Sequence, residues 1–238
     1  MTSTLDLETI VESVAALPHD WHRAGTMPRQ ALEAIARRCR QIAPVNFSLE
    51  TGSGKSTLLF SHFSNCHKVF AVEDGNGSIT KAKASELLAP GMVEFIEGPT
   101  QITLPKFSFP GPVDIALIDG PHGYPFPDLE YFHIYPHIRT GGILLVDDIQ
   151  IPTIERMFSI LKADKMWRLL EVVDNLAVFE RTDHEGVSPT EDGWWKQGFN
   201  ELSYNRMLQR RRRNNSFFIK NTRKVMFKLR QALGLEKR

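Results

Sequence analysis

The chain has 238 residues, 42% of them hydrophobic, which is enough to bury one sizeable core. No apolar run approaches the ~20 residues of a membrane-spanning helix, and the first residues lack the basic and apolar regions of a signal peptide. Two cysteines, Cys39 and Cys66, exclude a disulfide framework and a zinc set built from cysteines. We therefore expect a cytoplasmic protein with one main domain and no transmembrane segment.

The net charge of +1 conceals an uneven distribution along the chain. Residues 206–238 contain twelve Lys or Arg and one acid, a net charge of +11, which leaves residues 1–205 at −10. Such a basic tail could bind nucleic acid, an anionic membrane or an acidic partner, or fold against its own chain or a neighbouring subunit. Its last part, Phe218–Leu233, predicts a basic amphipathic helix, and docking on its own domain or on a dimer partner is favoured over a membrane surface.

Helices and strands alternate along the rest of the chain. Two helices are predicted first, at 4–16 and 28–42, the second capped by Thr26. Strands are then predicted at 45–50, 69–73, 93–97, 113–119 and 143–147, helices at 55–65, 79–88, 128–137 and 153–163, and a closing hairpin at 167–173 and 177–181. This order predicts an α/β fold with a doubly wound, Rossmann-like, mostly parallel seven-stranded sheet, an antiparallel C-terminal hairpin and helical appendages at both ends.

Three acidic side chains follow two of the predicted strands. Asp119 ends one apolar run, and Asp147 and Asp148 end the next. In a doubly wound sheet the carboxyl ends of the strands meet at the edge where ligands bind, so these carboxylates are expected to converge there. Clustered acids repel one another unless a cation lies between them, and oxygen ligands suit a hard ion such as Mg²⁺. The alternative is that Asp147 and Asp148 only cap the following helix or hold a loop.

A glycine-containing loop joins the first predicted strand to the helix after it. Its Gly-Lys-Ser-Thr sequence suggests a P-loop, but Leu49 stands where that motif requires glycine. A dinucleotide fingerprint fails as well, because Thr57 stands where glycine or alanine is needed. The loop is better explained together with Glu50, whose carboxylate could order the loop or bind an ammonium group while Gly52 and Gly54 let a ligand approach the backbone.

A second pair of acids, Glu73 and Asp74, follows the second predicted strand. In nucleoside-binding sheets an acid at this point accepts hydrogen bonds from both ribose hydroxyls. Glu73 alone could equally be a solvated strand end. Together with Glu50 and the glycine loop, however, it predicts a nucleoside cofactor.

With these residues the chain resembles class I S-adenosylmethionine-dependent methyltransferases over roughly residues 45–182. More narrowly, it is similar to the metal-dependent O-methyltransferases related to catechol O-methyltransferase and to the macrolide sugar O-methyltransferases. The resemblance implies S-adenosylmethionine as the cofactor and a domain of residues 45–182, with a helical appendage before it (1–44) and a linker with a basic helical tail after it (183–238). The implied cofactor-binding residues are Glu50-Thr51-Gly52-Ser53-Gly54 for the methionine end, Glu73 and Asp74 for the ribose, Thr100 and Gln101 for the adenine, and Asp119.

The same resemblance implies a metal site and a base. Asp119, Asp147 and Asp148 match the metal ligands of these enzymes, and a divalent metal, most simply Mg²⁺, would lower the pKa of an acceptor hydroxyl. His122 stands three residues after Asp119, where catechol-type enzymes have a lysine base, so His122 and Asp119 are the expected catalytic residues. The expected activity is methyl transfer to a hydroxyl of a small-molecule acceptor, by a homo-oligomer.

Two departures and three alternatives accompany this resemblance. The Gly-x-Gly spacing differs from that of catechol-type enzymes and argues against a catechol substrate, and Asp148 stands where those enzymes usually have asparagine. The alternatives are a metal-independent methyltransferase on the same fold, a P-loop nucleotide-binding protein, and a non-enzymatic module whose basic tail binds nucleic acid or a membrane.

Overall fold

One seven-stranded sheet forms the centre of the structure, a computed structural model that describes residues 7–23, 25–73 and 75–232. Its strands are β1 Ser48–Thr51, β2 His67–Ala71, β3 Val93–Glu97, β4 Val113–Ile118, β5 Ile138–Val146, β6 Trp167–Val173 and β7 Leu176–Arg181. They lie in the order β3-β2-β1-β4-β5-β7-β6. The first five are parallel and β7 is antiparallel to both its neighbours, which confirms the predicted fold class.

Helices cover both faces of the sheet. They are α1 Leu7–Ala15, α2 Arg29–Gln41, α3 Lys55–Phe63, α4 Ser78–Ala84, α5 Thr100–Thr103, α6 Phe126–Ile134, α7 Pro152–Ala163 and α8 Gly198–Ala232. Residues 4–6 of the first predicted helix lie outside the described residues. Within the described ranges, no helix combines the length and the apolar character that crossing a membrane requires.

The sequence of strand β4 is almost continuously apolar because all six of its residues are buried. Ile115 and Leu117 belong to the core that contains α1, α2 and α3, whereas Ala116 and Ile118 belong to the core that contains α6 and α7. Successive side chains of a strand point to opposite faces, so a sheet covered on both sides needs apolar residues at every position. This packing places the end of β4, and therefore Asp119, at the centre of the carboxyl edge.

The first strand begins later than predicted, at Ser48 rather than at residue 45. Before it, the backbone N–H groups of Asn46 and Phe47 donate to the side-chain carboxylate of Asp114 in β4 instead of to a backbone carbonyl. Asp114 is buried and also accepts a hydrogen bond from Arg139 Nε at 2.6 Å. The Asp114 side chain thus takes the place of backbone hydrogen bonds just before β1.

The C-terminal helix is longer than predicted. Helix α8 runs over 35 residues, whereas the amphipathic pattern predicts only Phe218–Leu233, of which Leu233 lies outside the described residues. The run Arg210–Arg213 lies inside this helix, as expected from the high helix propensity of arginine. Its later apolar side chains, among them Val225 and Leu229, are exposed. These side chains therefore do not dock on the chain's own domain, contrary to one of the favoured hypotheses.

Candidate functional site

A cavity of about 670 Å³ opens at the carboxyl edge of the parallel strands. Its walls come from the loop after β1 (52–56), the end of β2 and the turn after it (70–72, 76 and 78), the start of α5 (99–101), the loops after β4 (119–122) and β5 (147–148), Phe126, and the segment before α2 (22–23 and 25–27). Open α/β sheets bind their ligands at this edge. Among the sequence-predicted residues, the cavity brings together Gly52, Ser53, Gly54, Thr100, Gln101, Asp119, His122, Asp147 and Asp148.

The glycine loop crosses the loop after β4 at very short range. Gly52 has a φ of +89°, and a Cβ at this position would lie 2.3 Å from the carbonyl oxygen of Asp119. Both facts require glycine here. Lys55, the P-loop-like lysine, donates from Nζ to the carbonyl of Leu17 at 2.6 Å, so its ammonium is held by the N-terminal segment. This contact argues against the P-loop alternative.

Glu50 is fully buried in β1 and does not line the cavity. Its Oε1 accepts a hydrogen bond from Thr57 Oγ1 and lies 3.2 Å from His67 Nε2, while His67 Nδ1 lies 2.7 Å from Ser48 Oγ. These contacts are those expected of a carboxylate that orders the loop. Its Oε2 is buried without a hydrogen-bond partner among the described residues, so the binding of an ammonium group stays a prediction.

Glu73 stabilises a turn beside the cavity. Strand β2 ends at Ala71 instead of residue 73, and the carboxylate of Glu73 accepts the backbone N–H groups of Gly77 at 2.8 Å and Thr80 at 3.0 Å. These hydrogen bonds, that of Thr80 first, lower the pKa of Glu73. Glu73 is not one of the cavity-lining residues, and Asp74 lies outside the described residues, so ribose binding by either stays a prediction.

Asp119, His122 and Asp148 form an acidic cluster in the cavity. His122 Nε2 lies 3.0 Å from Asp148 Oδ2 and 3.9 Å from Asp119 Oδ1. One ligand atom from each of the three residues lies within 4.8 Å of the other two, a spacing suited to one metal ion. Asp147 lines the same cavity, but it does not belong to this group of the described residues. The geometry therefore joins two of the predicted metal ligands to the predicted base.

The charges of this cluster are strongly coupled. The carboxylates of Asp119 and Asp148 raise the pKa of His122 to about 10, and His122 lowers the pKa of Asp148. Burial, together with the charges of Asp147 and Asp148, raises the pKa of Asp119. The positively charged form of His122 is therefore favoured beside Asp148, at the place where a cation would compensate the acids. In that state it cannot accept a proton.

Glu130 is a buried acid behind the site that sequence reasoning missed. Thr51 Oγ1 donates to Glu130 Oε2 at 2.8 Å and accepts the backbone N–H of Asp119 at 3.1 Å. Burial raises the pKa of Glu130 to about 7. A Cβ on Gly120 would lie 2.1 Å from Glu130 Oε1, so the loop after β4 lies directly on this carboxyl. No sequence signal distinguishes it, because a glutamate in a short helix ordinarily lies on the surface.

The segment before α2 also lines the cavity. Its sequence carries no motif, so this role could not be predicted. His22, Thr26 and Met27 line the cavity, and the backbone N–H of Arg23 donates to the carbonyl of Asn76 at 2.9 Å. The prediction that Thr26 caps α2 is wrong, since that helix has Pro28 at its N-cap and no side-chain cap. This segment spans from the glycine loop to the turn after β2.

Two buried hydroxyls of the cavity, those of Thr26 and Ser53, have no hydrogen-bond partner within the described part of the chain. The hydroxyl of Thr100 lies near Glu130, where burial raises the pKa of the carboxyl and hydrogen bonding from Thr100 partly offsets that rise. Buried polar atoms are nearly always hydrogen-bonded in folded proteins, so the hydroxyls of Thr26 and Ser53 suit a polar ligand. Ser53 and Thr100 are among the predicted cofactor-binding residues, and the cavity thus fits a polar cofactor.

A central β1 followed by a glycine loop, in a sheet of order β3-β2-β1-β4-β5-β7-β6, defines the fold of class I S-adenosylmethionine-dependent methyltransferases. Residues 49–149 match the family model of a methyltransferase domain. The chain therefore has the class I methyltransferase fold, and residues 49–149 match a methyltransferase domain in sequence. No curated protein matches it.

Solved structures share this fold at low sequence identity. A candidate caffeoyl-CoA O-methyltransferase from Staphylococcus aureus has a TM-score of 0.56 and 18% identity, over 75% of this chain and 93% of that chain. The O-methyltransferase TomG from Streptomyces achromogenes, in complex with S-adenosylmethionine, has a TM-score of 0.53 and 16% identity, over 76% and 92%. MycE methyltransferase from the mycinamycin biosynthetic pathway, in complex with Mg, S-adenosylhomocysteine and mycinamycin VI, has a TM-score of 0.51 and 16% identity. That match covers 78% of this chain but only 57% of MycE, less than two thirds of its length.

Proposed function

We propose that this chain transfers the methyl group of S-adenosylmethionine to a hydroxyl of a small-molecule acceptor, with a divalent cation, most simply Mg²⁺, at the acidic cluster. The observation that carries the proposal is that the cluster of Asp119, His122 and Asp148 shares one cavity with the glycine loop. Support comes from the likeness to MycE, which was solved with both Mg and S-adenosylhomocysteine, and to the O-methyltransferase TomG.

The cofactor would be held by the glycine loop and by the start of α5. Ser53 offers a hydroxyl that lacks a hydrogen-bond partner among the described residues, and Thr100 and Gln101 line the same cavity. S-adenosylmethionine supplies an electrophilic methyl group. The protein then has to align the acceptor with that group and keep water out of the cavity. The described residues of the segment before α2, 22–23 and 25–27, lie on the cavity wall and would cover the acceptor.

The cation would be held by Asp119 and Asp148, with His122 or Asp147 as the third ligand. A divalent ion supplies Lewis acidity that lowers the pKa of a bound hydroxyl. With Asp147 as the third ligand, the charge of Asp119 and Asp148 would be compensated by the cation, and the pKa of His122 would fall back toward its ordinary value. His122 would then be able to take the acceptor's proton at Nε2, which it could not do as a metal ligand through that atom. Asp119 would keep the position that Thr51 and Glu130 give its backbone.

The first test is calorimetric titration with S-adenosylhomocysteine and with Mg²⁺, before and after treatment with EDTA. We expect S-adenosylhomocysteine to bind in all conditions, and the Mg²⁺ isotherm to disappear in Asp148→Ala but not in Asp183→Ala, a substitution of an exposed acid that does not line the cavity. Comparing His122→Ala with Asp147→Ala identifies the third ligand. A folded protein that binds no S-adenosylhomocysteine would refute the proposal.

A metal-independent methyltransferase is the second candidate, and the imidazolium of His122 favours it. Because His122 lies 3.0 Å from Asp148 and 3.9 Å from Asp119, it compensates their charge without a metal. In that case methyl transfer persists in EDTA, and no Mg²⁺ isotherm is found. Loss of activity in EDTA with recovery on adding Mg²⁺ would exclude this candidate.

A further inference from the structure

Helix α8 is a long basic element outside the catalytic site. Its 35 residues correspond to a length of about 52 Å. After Glu201 in the first turn, the helix contains no further acid up to Ala232. Lys220, Lys224 and Lys228 repeat every four residues and are exposed, as are the four arginines 210–213. The three lysines lie on one side of the helix, whereas the four consecutive arginines are distributed around it, with Arg211 on the side of Tyr204 and Met207.

A second side of α8 is apolar and equally exposed. Tyr204, Met207, Val225, Met226 and Leu229 have between 37% and 57% of their surface exposed. At 3.6 residues per turn these five side chains fall within a sector about 100° wide, which we call the apolar face. The three lysines project from the other side of the helix. Exposed charged and apolar sides on one helix are the pattern of elements that lie in a membrane interface.

An aromatic pair extends the apolar face at the start of the helix. Trp194 and Trp195 are 46% and 59% exposed and directly precede α8. The ring centroid of Trp194 lies 6.1 Å from that of Tyr204, so the pair adjoins the first residue of the apolar face. Tryptophan and tyrosine favour the boundary between water and lipid, because their rings are apolar at one end and polar at the other.

We propose that α8, together with Trp194 and Trp195, is a peripheral anchor that lies on a membrane surface rich in anionic phospholipid. Nucleic acid, or the acidic body of a second copy, would pair with the lysines and leave the apolar face in water. A lipid interface satisfies both sides at once, since acyl chains cover the apolar side and anionic headgroups surround the basic side. Residues 1–205 carry a net charge of −10, so attraction is confined to the helix and fixes the orientation of the body above the membrane.

Co-sedimentation of the full chain with vesicles tests this anchor. The vesicles are phosphatidylcholine alone, or equal parts of phosphatidylcholine and phosphatidylglycerol. The apolar-face variant carries Val225→Gln, Met226→Gln and Leu229→Gln, and the charge variant carries Lys220→Gln, Lys224→Gln and Lys228→Gln. The matched control carries Asn214→Gln and Asn221→Gln on the same helix. Glutamine is a good helix former, and circular dichroism verifies that the helix is retained.

We expect the chain and its matched control to sediment with the anionic vesicles and not with phosphatidylcholine alone. Each of the other two variants should bind at least about tenfold more weakly, because each loses one of the two contributions to interfacial binding. Titration with S-adenosylhomocysteine should be unchanged in all variants, so the anchor is tested separately from the proposed function.

Three results would overturn the anchor. One is equal binding to both kinds of vesicle, or to neither. Another is salt-sensitive binding of duplex RNA that the apolar-face variant retains, which identifies a nucleic-acid arm. The third is a dimer in sedimentation equilibrium that only the apolar-face variant loses, without vesicle binding, which identifies a second copy as the occupant.

Discussion

Glu130 makes a pH-dependent contribution to stability that a single substitution isolates. The carboxyl is 1% exposed, and burial raises its pKa from the ordinary 4.5 to about 7. The substitution Glu130→Gln keeps a side-chain oxygen that can accept the hydroxyl of Thr51 but removes the ionisation. The variant therefore behaves like the wild type with Glu130 permanently neutral.

The magnitude and sign follow from proton linkage. An acid whose pKa is higher in the folded state binds its proton more tightly there. The stabilisation is complete below about pH 4.5, decreases as the pH rises from 4.5 toward 7, and is lost above pH 7. A shift from 4.5 to about 7 corresponds to about 3 kcal/mol at ~1.4 kcal/mol per pKa unit. Relative to Glu130→Gln, the wild type should thus lose about 3 kcal/mol of stability between about pH 4.5 and pH 7.5.

Urea denaturation at intervals over this pH range, with EDTA present, measures the difference. Glu86→Gln, the same substitution at an exposed acid, provides the baseline. The reasoning is refuted if the wild type and Glu130→Gln differ by a constant amount at every pH. It is also refuted if the variant becomes the less stable protein above pH 7, since Glu130 would then be charged and stabilised in the fold.

Three further substitutions test the structure around the site. Gly52→Ala should reduce the free energy of unfolding by more than about 3 kcal/mol, because its Cβ would lie 2.3 Å from the Asp119 carbonyl oxygen. Gly91→Ala, with a φ of +79° but open space, should cost only about 1 kcal/mol in the same urea titration; equal costs would contradict the close approach. Glu50→Gln should lower stability by about 2 kcal/mol and change S-adenosylhomocysteine affinity less than about threefold, whereas a large loss of affinity at unchanged stability would show ammonium binding. Asp114→Asn should lower the urea midpoint by weakening the charge-assisted hydrogen bonds at the base of the sheet, without changing S-adenosylhomocysteine affinity, and an unchanged midpoint would contradict this.

The sheet could be predicted from sequence because its physical demands are local. A strand buried on both faces needs a nearly unbroken apolar run, and 115–118 and 143–146 are such runs that are followed by acids. Strand β3 has the predicted bounds. The start of β1 and the end of β2 were less predictable, since they depend on which backbone N–H groups the carboxylates of Asp114 and Glu73 accept.

The site was only partly predictable, because some of its residues are placed by contacts between distant parts of the chain. Asp119 and Asp148 follow strands, so topology brings them together whatever the loops do. The place of His122 between them depends on the path of a loop, and the place of Glu130 depends on how α6 packs against β1. The cavity-lining segment before α2 has no periodicity or motif, and its position follows from contacts such as that of Lys55 with Leu17.

The shared core of α1, α2, α3 and the sheet has a consequence for biosynthesis. Ile10 and Leu32 near the N-terminus pack in the same hydrophobic core as Leu176 and Val178 of β7. Strand β1 likewise needs β4, which follows three helices and two strands later. During translation the first helices therefore leave the ribosome long before their partners, with apolar surface exposed. Non-local pairing of this kind slows folding, so the nascent chain should depend on chaperones until β7 has been synthesised.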